Sequence, residues 1–534
     1  MQRDLLAILA LAFLLRVWGL TFGLPHTFAR PDEEAAISTA LRFFGRHVDP
    51  QFYHWPSLFM EMVAMGFVAY FAVGRARGWF RRESTFLAAA SRFHGPLFLI
   101  ARTVSVVAGT ITVWLVHRIG VLLFDRRRAT TAAFFLAVAA LHVRDSHFAV
   151  PDITATCIAT ASFFWTCRFL ESRRFRDLVV SAVCAGAAAS TKYNLALIAV
   201  PAFVALASEP DARLIKQLPR AGAYATAAIA AFCLGSPYVL VDWRAFAQGV
   251  GEIGDRLRSG QIVSSGPTWG LHFFSTLRHG LGWPLLVAGV GGLISYCWKN
   301  RRAGLVLASF PVVYFVVIGA GQSTFARYLI PVIPFLVLAA ASFVCDVGER
   351  AGRLIAPAHV GAVVVVFAIL VASPSLVAAI QIDRLLARTD TRVLAAESIG
   401  ARFHCGATVY QTGSTYGQLQ FSDEDSRARR YARVSFDEVK GEFLNSDESI
   451  ATLPDIVVVQ QSPLAYSRVP KAILGIVATR YVRLTEVSGT TESARSVYDY
   501  DDAFYLPLAG FRGVLRPGPN IRIYVRRDYQ PRSC

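Results

Sequence analysis

The chain is 534 residues long, and at 54% hydrophobic against 17% charged, with a mean hydropathy of +0.43, it departs from the composition of soluble proteins. That excludes a string of soluble domains, a disordered chain and a small disulfide-stapled fold, and it leaves a polytopic membrane protein. Of the net charge of +17, almost all sits in residues 1–380, because residues 381–534 carry 20 Lys and Arg against 18 Asp and Glu. Cations spread over short loops between apolar runs mark loops held beside anionic lipid, so no nucleic-acid partner is expected.

In chain order, apolar runs that could span a bilayer fall near 5–24, 57–73, 97–123, 129–142, 153–170, 178–191, 195–207, 221–241, 281–298, 303–320, 328–344 and 355–372. The first is read as a retained helix, since no small-residue cleavage site follows it. After about residue 375 the texture becomes that of a water-soluble α/β domain. A helix is expected over Arg392–Phe403, and strands over Ala407–Gln411, Asp455–Gln460, Tyr481–Val487 and Ile521–Arg526. The expected fold is thus a polytopic α-helical membrane domain over 1–375, with an extracytoplasmic α/β domain over 376–534. Six of the eight cysteines lie in or beside apolar runs, as small hydrophobes do. Cys405 and Cys534 lie in the polar tail, where a disulfide between them is left open.

Charge fixes the expected topology. With the N-terminus inside and twelve crossings, the basic loops 125–128, 171–177, 210–220, 299–302 and 346–353 all fall outside. That grossly violates the positive-inside bias. If the segment 57–73 lies along the membrane without crossing, all five move inside, at the cost of leaving the basic stretch 75–82 outside. The expectation is eleven spanning helices plus one juxtamembrane segment, with the C-terminal domain outside.

That topology gathers four polar clusters on the outer face: Arg30-Pro31-Asp32-Glu33-Glu34; His142 to Asp152, with Arg144, Asp145 and His147; Thr191-Lys192-Tyr193-Asn194; and Thr324 to Tyr328. Lys192 stands out, being one of five lysines against 49 arginines and the only lysine in the first 215 residues. Ionisable groups at membrane depth are costly and usually functional. Cations suit a phosphate, and a carboxylate can take a proton from a hydroxyl nucleophile. Transfer of a sugar from a lipid phosphate needs both. The phosphate leaving group needs positive charge where negative charge accumulates, and attack from the opposite face gives inversion.

On RPDEE (30–34), WPSL (55–58), SHFAVPD (146–152), STKYN (190–194), FARYLIPVIP (325–334) and DTRVLAAESI (390–399), the chain resembles the GT-C superfamily of integral-membrane glycosyltransferases. Within it the resemblance is to bacterial relatives of the protein O-mannosyltransferases and of the lipid A aminoarabinose transferase. The resemblance implies Asp32 as catalytic base beside Glu33, Asp152 as a second catalytic acid and Lys192 as a lipid-phosphate ligand. Arg327 falls in the RY-x-x-P element with Tyr328. Arg144, His147, His54 and Tyr193 complete the expected substrate-binding set. The implied activity is inverting transfer of a hexosyl or pentosyl group from a polyprenyl-phosphate sugar to a lipid, glycan or protein acceptor, at the outer face of the cell (inner) membrane. No cofactor is required by the sequence; a divalent cation on Asp32 and Asp152 is left open, and His54-Trp55-Pro56 departs from the acid and lysine that some relatives carry there. The competing reading is a multi-pass transporter or flippase for a lipid-linked or anionic substrate, whose inverted repeats or paired broken helices are not seen in the sequence.

Overall fold

The structure is a computed structural model that describes residues 2–45, 49–90, 94–208, 214–259, 266–403, 406–421 and 431–530. Cys405 and Cys534 lie outside the described residues, as does part of the loop 210–220. The chain is mostly helical with a small sheet near its C-terminus. It divides into two compact units, one of Met1–Trp18, Ala35–Phe86 and Leu97–Asp383, the other of Gly19–Glu34, Leu87–Pro96 and Arg384–Cys534.

In the first unit the apolar runs read from the sequence are largely helical, the first over Gln2–Val17 only, since residues 18–24 form turns. Among the described residues, six helical stretches are long and apolar enough to cross a membrane by length and composition. These are Leu58–Ala76, Gly95–Leu123, Pro151–Ser172, Arg301–Gly319, Ala326–Ile355 and Pro357–Gly400. The pair Trp269–Leu281 and Trp283–Lys299, bent by 113°, makes a seventh if taken as one span. The remaining runs form shorter helices, including Gln2–Val17, Arg126–Ala137, Phe175–Ala189 and Leu214–Gly235. Small residues let these helices approach closely, since lipid offers no hydrophobic drive between them. At Gly292 a Cβ would stand 2.1 Å from the Ala339 carbonyl oxygen, so Trp283–Lys299 lies directly on Ile333–Ile355.

Three of the five basic loops meet at one end of this unit. Arg128 pairs with Asp125 on its own loop and, at 2.6 Å, with Asp346; Lys299 also pairs with Asp346, and Arg127 reaches Glu349 at 3.4 Å. Asp125 caps the helix that follows by accepting from the Arg127 and Arg128 amides.

A second buried polar set ties the first helix to its neighbours. Arg16, fully buried, donates to the carbonyls of Ala12, Leu136 and Ala137 and meets His142 Nδ1 at 2.9 Å. His147 places its two ring nitrogens against the carbonyls of Val143 at 3.0 Å and Trp18 at 3.1 Å, with Asp383 at 3.7 Å.

The second unit contains a six-stranded sheet. Its strands are β1 (Ala407–Gln411), β2 (Tyr431–Asp437), β3 (Glu442–Leu444), β4 (Ile456–Gln461), β5 (Tyr481–Val487) and β6 (Asn520–Arg526), in the order β3-β2-β1-β4-β6-β5. β1 pairs in parallel with β2 and β4, and the other pairings are antiparallel. Alternation along β4 sends Ile456 and Val458 to one face, against Ala395 and Ile399 of the helix Thr391–Gly400. Val457 and Val459 go to the other, against Ile473 and Val477 of the helix Lys471–Arg480. The four strands read from the sequence are present within a residue or so, and β2 and β3 are additions to them. The segment Gly19–Glu34, which follows the first helix, packs within this same unit.

Candidate functional site

Asp152 and Lys192 are brought together from elements 40 residues apart. Val150 is extended and Pro151 opens the helix Pro151–Ser172, which sets Asp152 in its first turn. Lys192 ends the turn after Phe175–Ala189, its amide donating to the Ala188 carbonyl at 2.9 Å before the short helix Tyr193–Ala199 begins. The Lys192 ammonium pairs with Asp152 Oδ1, and the two side chains are only 12% and 3% exposed. The same ammonium lies 4.7 Å from the centre of the Tyr328 ring, a cation–π distance.

Burial pulls the Lys192 ammonium below its ordinary pKa, Asp152 opposes that pull, and Arg327 and Asp145 are near enough to act on it with opposite signs. Asp145 belongs to the cluster singled out in the sequence but was not among the expected site residues. Arg144, also buried, lies 3.6 Å from Asp145 and 5.8 Å from the Phe148 ring centre. Arg327 stacks over Phe325 at 4.7 Å. Asn194 donates to the buried Tyr314 hydroxyl at 2.9 Å, a neighbour that carried no motif to mark it.

The WPSL and STKYN segments meet directly. The Leu58 amide donates to the Ser190 carbonyl at 3.2 Å, and the Tyr193 hydroxyl donates to the Tyr53 carbonyl at 3.1 Å. Ser57 donates to Glu61, and Ser190 and Ser236 share a hydrogen bond at 2.7 Å. His54, by contrast, sits at a more exposed rim, with Glu252 at 3.0 Å and Arg256 at 3.3 Å on the helix Trp243–Ser259. His142 and His147 are held by Arg16 and by backbone carbonyls, as described above. Among the described residues no three His, Cys, Asp or Glu side chains are grouped to hold a metal ion, and Asp152 is taken by the Lys192 ammonium.

The first-loop acids are built within the second unit. Asp32 sits just before the helix Glu33–Phe44 with φ at +76°, a left-handed backbone that costs a non-glycine residue roughly 1 kcal/mol or more. Glu33 is fully buried and opens that helix, whose amino-terminal dipole suits a carboxylate. Glu34 accepts from the Tyr416 hydroxyl at 2.9 Å. Burial, reinforced by Asp32 and Glu33, pushes the Glu34 carboxyl above the ordinary range, while the Tyr416 bond opposes the shift. Arg30, fully buried, donates a hydrogen bond of 3.0 Å to Asp502 Oδ1, lies 3.0 Å from Asp502 Oδ2 as an ion pair, and stacks over Phe504 at 5.2 Å. Arg392, paired with Asp390 at 2.6 Å, donates to the carbonyls of Phe28, Ala29 and Tyr416.

Residues 86–240 match the family described as dolichyl-phosphate-mannose-protein mannosyltransferase. No curated protein matches the chain by sequence. In fold it is similar to ArnT from Cupriavidus metallidurans in the apo state, at 14% identity and TM-score 0.54 over 97% of both chains. The same protein bound to undecaprenyl phosphate matches at 13% identity and TM-score 0.51, again over 97% of each chain. It is also similar to the oligosaccharyltransferase AglB from Archaeoglobus fulgidus, solved with an inhibitory peptide and a dolichol phosphate, at 12% identity and TM-score 0.53 over 98% of this chain and 88% of that one. The resemblance read from the motifs thus extends to the fold: the chain is similar to GT-C glycosyltransferases, and its long apolar helices are those of a multi-pass membrane protein.

Proposed function

We propose that the protein is an inverting glycosyltransferase that moves a sugar from a polyprenyl-phosphate donor to an acceptor at the extracytoplasmic face of the cell membrane. The observation that carries this reading is the nearly buried Lys192 ammonium, set against Asp152 and Tyr328 with Arg327 close by. An ammonium has three donors and Asp152 engages one of them, so the remaining capacity suits a phosphate oxygen. In the proposed step Asp32 takes the proton of the acceptor hydroxyl. The oxygen attacks the anomeric carbon, and the bond from that carbon to the phosphate oxygen breaks, with its electron pair leaving on the phosphate. Lys192 and Arg327 stabilise the charge that gathers there. Asp152 holds the ammonium in place. Glu33 supports Asp32. Arg144, His147, His54, Tyr193 and Tyr328 belong to the proposed binding surround, and the acceptor is a lipid, a glycan or a protein.

The proposed topology has eleven crossings, with the membrane domain over 1–375 and the soluble domain over 376–534 outside the cytoplasm. Besides the charge bias, two observations support it. Three basic loops meet through ion pairs, as loops on one side can. The described residues of segments 19–34, 87–96 and 384–530 belong to one compact unit, as segments on one side of a membrane can. Chain ends that share a side are joined by an even number of crossings. Among the described residues between 34 and 87 only Leu58–Ala76 is long and apolar enough to cross, so on this reading it lies along the membrane. Thiol reagents that cannot enter the cell should label a cysteine placed in the soluble domain; labelling only after permeabilisation overturns the topology.

The activity is tested in isolated membranes with a panel of labelled polyprenyl-phosphate sugars. Wild type should release polyprenyl phosphate and label an acceptor, and Asp32→Asn, expressed equally, should not. Wild-type turnover by Asp32→Asn removes the base assignment.

A further inference from the structure

The loop that carries the proposed base is strained, and the polar groups that hold it come from the C-terminal domain. Left-handed backbone at a non-glycine residue persists only where its surroundings over-determine it. Around Asp32 the restraint comes from both flanks. Upstream, Arg30 is buried and forks onto both carboxylate oxygens of Asp502, in the YDYDD run at 498–502, with Phe504 against its face. Downstream, the Tyr416 hydroxyl, at the end of the loop after β1, fixes the Glu34 carboxylate. Behind the loop, Arg392 of the DTRVLAAESI segment is held by Asp390 and donates to the carbonyls of Phe28 and Ala29. The Thr27 amide donates to Gln420 at 2.7 Å, and His26 meets the Gln418 carbonyl at 2.7 Å. Five side chains or carbonyls of the second unit thus grip residues 26–34.

We infer that the C-terminal α/β domain is the positioning frame of the first loop, and that Asp502, Tyr416 and Arg392 are positioning residues that set Asp32 through Arg30, Glu34 and the Phe28–Ala29 backbone. The inference rests on the proposed role of Asp32. It gives the YDYDD and DTR segments a function in catalysis as positioning elements. A buried arginine–carboxylate pair with one hydrogen bond and a second nitrogen–oxygen contact at 3.0 Å fixes direction as well as distance, which neither a lysine nor an amide reproduces. Displacement of a reacting group by about 1 Å costs on the order of a hundredfold in rate.

The test uses the full-length protein with Asp502→Asn, Arg30→Gln, their double variant and Tyr416→Phe, and reads two quantities. Hydrogen–deuterium exchange should quicken in peptides covering residues 26–36 and stay unchanged in the sheet strands. In the donor panel, kcat should fall about ten- to hundredfold while KM for the donor lipid stays within about twofold, because geometry is lost and binding is not. The double variant should lose no more than either single one, as expected when one residue acts through the other. Tyr416→Phe deletes one partly exposed hydroxyl and carries the same test if Asp502→Asn does not fold. Wild-type exchange and turnover in the folded variants overturn the inference, and so does exchange that rises across the whole sheet along with the loss of rate, which marks a purely structural role. Faster exchange confined to 26–36 in a protein whose wild type transfers no sugar leaves the frame standing and sinks the glycosyl-transfer reading.

Discussion

Replacing Lys192 by methionine keeps the length of the side chain and removes its charge. Asp152, 3% exposed, is then left as a buried carboxylate without its cation. Breaking a buried pair from one side costs roughly 3–5 kcal/mol, and the lost cation–π contact with Tyr328 adds on the order of 1 kcal/mol. Neutralising both partners in Lys192→Met/Asp152→Asn removes the uncompensated charge and should return most of that stability. Phosphate affinity behaves differently. A hydrogen bond to a charged group is worth roughly 1.5–3 kcal/mol, so binding of a fluorescent polyprenyl phosphate should weaken about ten- to hundredfold in the single and the double variant alike. The assay pairs thermal unfolding of the protein in nanodiscs with titration of the lipid. A double variant that unfolds like wild type and binds the lipid with undiminished affinity refutes the assignment of Lys192 as a phosphate ligand and leaves only a structural pair.

Arg16→Ala removes the guanidinium that satisfies three carbonyls and meets His142, and that faces the buried Asp383. A loss of roughly 3–5 kcal/mol is expected, read as a sharp fall in the yield of folded, detergent-stable protein. Gly292→Val forces two helices apart, because even a Cβ there stands 2.1 Å from the Ala339 carbonyl oxygen. Overpacking of this kind costs roughly 1–3 kcal/mol, measured as a lowered unfolding midpoint, and a midpoint equal to wild type contradicts the packing. Glu34 has a folded-state pKa raised above 4.5, so the stability linked to its protonated form is present at low pH and is lost as pH rises through the raised value. The unfolding midpoint of wild type should therefore carry a component that declines as pH rises above the ordinary carboxylate range and that Glu34→Gln lacks, and identical pH slopes in the two proteins contradict it.

The apolar runs were legible because helices that face lipid need continuous hydrophobic sequence, and β1, β4, β5 and β6 were legible because core strands concentrate Val, Ile and Tyr. β2 escaped notice because its sequence, YARVSFD, interleaves arginine and aspartate with its apolar residues, and β3 because it is only three residues long. The helix Trp243–Ser259 falls between the apolar runs 221–241 and 281–298 and is assigned to neither, although Trp243, Phe246, Val250 and Ile253 recur at helical spacing and disclose it. At the candidate site Lys192 could be picked out by its rarity and Asp152 by its place after a helix-opening proline. Tyr314 and Asp502 could not: each acquires its neighbours only through contacts that no local pattern encodes. Arg30 and Asp502, 472 residues apart, are the extreme case.

That separation has a consequence for how the protein is made. At roughly 5–20 residues per second, a ribosome that has just added Arg30 needs about half a minute to a minute and a half to reach Asp502. Over that interval Arg392 and Tyr416 emerge, but the Asp502 carboxylate that holds Arg30 is still absent. If Asp32 is the base, a newly made molecule gains competence only after Asp502 has been added and has closed on Arg30.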